Sequence, residues 1–139
     1  MTINVVALTI GIGVAWFLIK RTEAFSIQKA IWAYSLLLAS FPLYYWAFAI
    51  YAGNYSALSN EILIGSLFII MAWLAYVQSK PLALFILALG FIAHAVYDIT
   101  HGSFGTSAVA PIWWPEFCGS ADGVIGLYLL IESSRMRLK

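Results

Sequence analysis

Six side chains able to hold a cation or move a proton stand apart from every lysine and arginine in this 139-residue chain: Glu61, His94, Asp98, His101, Glu116 and Asp122. Three of them form the run His94-x-x-x-Asp98-x-x-His101. At about 100° per residue these three fall within an arc of about 60° on one helix face. That is how helical metal sites place their ligands, and imidazole with carboxylate suits zinc, manganese or ferrous iron. The expected ligands of a divalent metal ion are therefore His94, Asp98, His101 and Asp122. Glu61, Glu116 and Asp122 are the expected catalytic acid–base groups. The competing expectation is a hydrogen-bonded or proton-relay network built from the same residues. The single cysteine, Cys118, excludes an intrachain disulfide, a Cys-x-x-Cys redox pair and any Cys-rich zinc or iron–sulfur site. It reads first as a packing residue, with a nucleophile or a sulfur ligand as alternatives.

The elements that must carry these residues are dictated by composition. Hydrophobic residues make up 63% of the chain and charged residues only 9%, against about a quarter charged in an ordinary soluble domain. The mean hydropathy is +0.93. Such a chain is expected to be an integral, multi-pass membrane protein. A soluble enzyme, a disordered tail and a water-facing nucleic-acid binder are excluded, since no basic run is present to grip phosphates.

A helix that crosses a bilayer needs about 17–25 mostly apolar residues. Five segments qualify, near Ile3–Leu18, Ile27–Ala52, Ala57–Val77, Leu82–Thr100 and Pro115–Glu132. Their apolar runs are continuous rather than alternating, so an all-α five-helix bundle is expected and not a barrel. One transmembrane domain covers the whole chain. The first segment lacks a basic leader and a small-residue cleavage site, and is expected to be retained. Lys20, Arg21, Lys29, Lys80, Arg135, Arg137 and Lys139 all fall on one side when the count is five. The basic side is cytoplasmic, which puts the N-terminus outside and the C-terminus inside, in a bacterial or archaeal cytoplasmic membrane.

The unpaired acids then share the outer half of the protein. His94 and Asp122 both lie roughly 10 Å below the outer helix ends, with Asp98 about one turn above His94. Ionisable groups in a membrane are costly and are usually paired, cavity-facing or functional. Gly119-x-x-x-Gly123 is expected to let a neighbouring helix approach the face that carries Asp122. Glu61, Gly65, Phe68 and Ala72 share a side of the third segment. Tyr44, Tyr45, Trp46, Tyr51, Trp113 and Trp114 read as an interfacial belt, although Tyr44 or Tyr45, after Pro42, is placed to offer a hydroxyl to the site. The connection from Gly102 to Trp114 is long enough for a lid over the mouth, or for an ordinary surface loop.

His and Asp spread over several helices is similar to the scheme of membrane-embedded metal hydrolases such as the alkaline-ceramidase group. This chain is shorter and lacks their spaced motifs, so no residue role is carried over. The leading expectation is a metal-dependent membrane enzyme, a hydrolase or an oxidoreductase, acting on a lipid or other apolar substrate. The alternatives are a proton- or cation-coupled transporter working as a homo-oligomer, and a non-catalytic metal- or cofactor-binding subunit. Few polar groups mark the inner half beyond Ser35, Ser66 and Tyr76, which weighs against a transport path. Membrane lipid is the expected partner and nucleic acid is not.

Overall fold

The computed structural model describes residues 3–101 and 109–138. It contains five helices: α1 (Val5–Glu23), α2 (Ile27–Tyr51), α3 (Tyr55–Val77), α4 (Lys80–Thr100) and α5 (Trp114–Arg137). No strand is present among the described residues. The expected lid between Gly102 and Trp114 falls largely on residues 102–108, which lie outside the described residues.

Local chemistry sets the helix ends. Asn4 and Asn54 cap α1 and α3, each side-chain oxygen accepting a backbone N–H three residues on at 3.0 Å. Between α2 and α3 the chain reverses at Gly53, whose φ of 65° is open to glycine at no steric cost. Pro81 and Pro115 sit in the first turns of α4 and α5, where a missing N–H costs nothing. Lys20 and Arg21 lie in the last turn of α1, and Arg135 and Arg137 in that of α5, where the helix dipole favours cations.

The packing order differs from the chain order. α4 packs along α5, α3 and α2; α1 packs along α5; and α2 packs along α3. α1 meets α2 only slightly, and no Cα of α2 comes within 8 Å of one in α5. Small residues allow the close approaches. A Cβ on Gly126 would stand 3.2 Å from the Ala88 carbonyl oxygen and 2.7 Å from the Ile92 side chain, and one on Gly119 would touch Ile99. A Cβ on Gly123 would meet nothing within 4 Å. The close α4–α5 seam thus uses Gly119 and Gly126, two turns apart, in place of the expected Gly119–Gly123 pair. Gly65 of α3 takes Pro42 of α2 in the same way.

α1, α2, α3 and α4 are each long and apolar enough to cross a membrane. α5 is not among them: it carries Glu116, Asp122, Glu132, Arg135 and Arg137. The outer faces are richly apolar, with Trp16, Leu63, Trp73 and Ile99 each more than half exposed. A soluble monomer does not leave such a surface to water. These features are consistent with an integral membrane protein.

Candidate metal and proton site

The buried stripe of α4 runs Ala83, Leu87, Phe91, His94 and Asp98, three or four residues apart, and faces the centre of the bundle. Its apolar lower part forms the main core with Leu38, Ile125 and Leu129. Its polar upper part meets α5 at Asp122, α2 at Tyr45 and α3 at Glu61. The four ionisable residues Glu61, His94, Asp98 and Asp122 are each at most 2% exposed.

These groups form two adjoining networks. In the first, His94 Nδ1 lies 2.8 Å from Asp122 Oδ2 and 3.2 Å from Asp98 Oδ2. The Tyr45 hydroxyl donates to Asp98 Oδ1 at 2.6 Å. One imidazole N–H cannot serve two carboxylates with good geometry; it bonds Asp122, and Asp98 Oδ2 is left buried without a hydrogen-bond partner. The imidazole is fixed between the rings of Phe41 and Phe68, each with its centroid 4.7 Å away.

In the second network Glu61 accepts from the Tyr97 hydroxyl at 2.6 Å, and its other carboxylate oxygen lies 2.8 Å from His101 Nε2. Trp46 of α2 donates to the Glu61 backbone carbonyl at 3.0 Å and ties α2 to α3 at this level. The Tyr45 ring joins the two networks, its centroid 4.6 Å from that of His101 and 5.4 Å from that of Tyr97. Histidines and tyrosines therefore take the place of lysine and arginine as partners for the three buried acids.

The six residues singled out by type and spacing are thus placed in three groups. His94, Asp98 and Asp122 come together, with one ligand atom from each lying within 4.8 Å of the others. His101 stands with Glu61 instead. It shares a helix face with His94 but stands seven residues further on, about 10 Å along the axis, which puts it at the level of Glu61 rather than in the triad. Glu116 belongs to neither network. One of its oxygens lies 3.4 Å from the Asn4 backbone nitrogen at the start of α1, and the other is buried without a partner. Tyr45, not Tyr44, supplies the hydroxyl, while the Tyr44 ring packs on Trp114. Tyr97 and Phe41 do not stand out in the sequence, and Phe68 does so only as a neighbour of Glu61 on one face of α3. Tyr97 could have been found by its position three residues after His94 and four before His101.

The triad's chemistry admits a cation. Two ligands about 2.0–2.1 Å from a tetrahedral zinc lie about 3.3 Å apart. The His94–Asp98 separation is close to that figure, and the His94–Asp122 separation is short of it by about half an ångström, the distance of a shared proton. The unpartnered Asp98 oxygen is a lone pair aimed into the group, and Asp98 and Asp122 carry the charge that a divalent ion would balance. Asp122 also borders a cleft of about 350 Å³ between α1, α2 and α5, with Val14, Leu37, Phe41 and Cys118 among its walls. Three protein ligands beside a cleft leave a position open to a fourth. No protein-family model, curated protein or solved structure matches this chain.

Proposed function

We propose that the chain is a five-span membrane protein, N-terminus outside, in which His94, Asp98 and Asp122 bind one divalent metal ion and act on an apolar, lipid-like substrate. The reading is carried by one observation: three ligand atoms within 4.8 Å of one another, buried, with an unpartnered carboxylate oxygen among them. When bound, such an ion supplies Lewis-acid polarisation of a substrate oxygen. The chain's own residues do the rest. Tyr45 holds Asp98 in place, Phe41 and Phe68 fix the imidazole plane and exclude water, and Asp122 lies where a molecule in the cleft meets the site. Glu61 with His101 and Tyr97 forms a second proton-holding group one helical turn nearer the mouth. The fifth crossing is supported by α5 running beside α1 and α4, with Asp122, the acid nearest its middle, turned inward.

A second reading is favoured by the 2.8 Å separation of His94 and Asp122, a hydrogen-bond distance. Here the pair exchanges a proton rather than holding a metal, as in a proton-coupled transporter assembled from several copies. One experiment separates the readings. Protein in lipid nanodiscs is incubated with a total lipid extract, with and without chelator, and the lipids are profiled by mass spectrometry. A change that disappears with chelator and in His94→Ala supports the metal enzyme. Profiles unaffected by chelator and by His94→Ala contradict it.

A further inference from the structure

Two clefts on the apolar surface meet along α1 and α2. The cleft that ends at Asp122 is bordered by Leu18 and Leu37. A second, of about 410 Å³, is bordered by the same two leucines and continues past Ala33 and Ser40 to Thr22 and Tyr34. They adjoin across Leu18 and Leu37, and we treat them as one groove. Along α2 it reaches from Tyr44 to Ala33, about 16 Å at 1.5 Å per residue. That is roughly half of the 30 Å hydrocarbon thickness, the reach of one extended acyl chain in a single leaflet.

The groove exists because the backbones of α2 and α5 stay apart and α1 touches α2 so little. Its far end is closed by the Thr22–Tyr34 hydroxyl pair at 2.6 Å. Its near end holds Asp122 and, one turn earlier on the same helix, Cys118. No lysine or arginine borders either part.

We infer that this groove binds the single hydrocarbon chain of a lipid whose uncharged oxygenated end, a hydroxyl, ester or aldehyde, rests against Asp122. The inference builds on the metal reading above. The medium at the opening of the groove is hydrocarbon, so a lipid tail is the ligand available at high concentration. Asp98 and Asp122 with a neutral His94 and a divalent ion sum to zero charge, which leaves nothing to compensate a phosphate or an ammonium. Burying a hydroxyl is offset by one hydrogen bond, whereas an unpaired charge at that depth is not.

The probe is a long-chain primary alcohol with a diazirine at its terminal carbon, added to the full chain in nanodiscs and photolysed. Adducts are mapped by mass spectrometry, and the metal content of each sample is measured. Adducts should concentrate around Leu18–Thr22 and Ala33–Leu37. Leu37→Trp and Ala33→Trp, which fill the groove from two positions, should each lower them by about tenfold, the equivalent of 1.4 kcal/mol, with metal content unchanged. Unlabelled alcohol should compete, while an alkyl phosphate and an alkyl trimethylammonium of equal length should not. Adducts spread evenly over the exposed faces of α3 and α4, indifferent to both tryptophans, would overturn the proposal. Equal competition by either charged amphiphile would overturn the uncharged end. Groove adducts that respond to the tryptophans in protein without metal would uphold the groove and count against the metal reading alone.

Discussion

Replacing Tyr45 by phenylalanine removes one oxygen atom and no packing, which makes it a clean probe of how the site is held. The lost hydroxyl donates to Asp98 Oδ1 at 2.6 Å, between side chains 2% and 0% exposed. Uncharged interhelical hydrogen bonds in membranes average about 0.6 kcal/mol and reach about 1.7. A carboxylate acceptor raises the value, and bonds to charged groups run to about 1.5–3 kcal/mol. After the change Asp98 keeps only the His94 approach at 3.2 Å, because its other oxygen has no hydrogen-bond partner to begin with. The expected destabilisation without metal is therefore about 2 kcal/mol. A bound cation would continue to neutralise Asp98, so the loss with metal should fall to about 1 kcal/mol, while metal affinity drops about 10–100-fold because its ligand is no longer oriented. Reversible unfolding in mixed micelles, with and without zinc, measures the first pair of values, and a zinc titration the second. Tyr44→Phe is the control, since Tyr44 is half-exposed and stacks by its ring. A Tyr45→Phe protein within about 0.5 kcal/mol of the parent, a difference ordinary surface changes produce, and with unchanged zinc affinity, would refute the assigned role of this hydrogen bond.

Other outcomes follow from the same geometry. Gly126→Ala forces a methyl against backbone atoms of α4 and should cost about 1–3 kcal/mol, whereas Gly123→Ala, in open space, should be neutral or gain up to about 1 kcal/mol by helix propensity; unfolding of the two variants side by side checks this. Glu61→Leu strands the Tyr97 hydroxyl and His101 together and should cost about 3 kcal/mol, with Glu61→Gln nearer 1; both should retain their metal, because Glu61 stands outside the triad. Reporter fusions at Gly53, Lys80, Thr106 and Lys139 should read outside, inside, outside and inside, and a cytoplasmic signal at Thr106 would overturn the five-span orientation.

Much of this organisation was legible in the sequence because hydrophobic burial leaves a strong periodic trace. The breaks at Gly53-Asn54 and Ser79-Lys80-Pro81 mark where helices end, since those residues supply a left-handed turn, a cap and a helix start. His94 and Asp98 were readable as partners because a four-residue spacing aligns them wherever the helix is regular, and Asp122 joined them at a matching depth. His101 was not readable. A face projection carries no axial distance, and His101 stands about two turns beyond His94, level with Glu61 of α3. The Gly119–Gly123 spacing suggested a one-turn seam, but the α4–α5 contact follows Gly119 and Gly126. That choice depends on where Ile92 and Ala88 of the other helix lie. Tyr45 was readable only as one of a pair with Tyr44, and Tyr97 was not singled out, because only tertiary packing sets hydroxyls facing the core apart from those facing outward.

The metal reading requires that His94, Asp98 and Asp122 hold one divalent cation. Its most direct test is elemental analysis of protein purified without chelator, alongside His94→Ala, Asp98→Ala and Cys118→Ser. One transition metal ion per chain is expected in the parent and in Cys118→Ser, with its loss from both triad variants. Equal metal content in all four proteins, or none in the parent even after dialysis against zinc, manganese and ferrous iron, would contradict it.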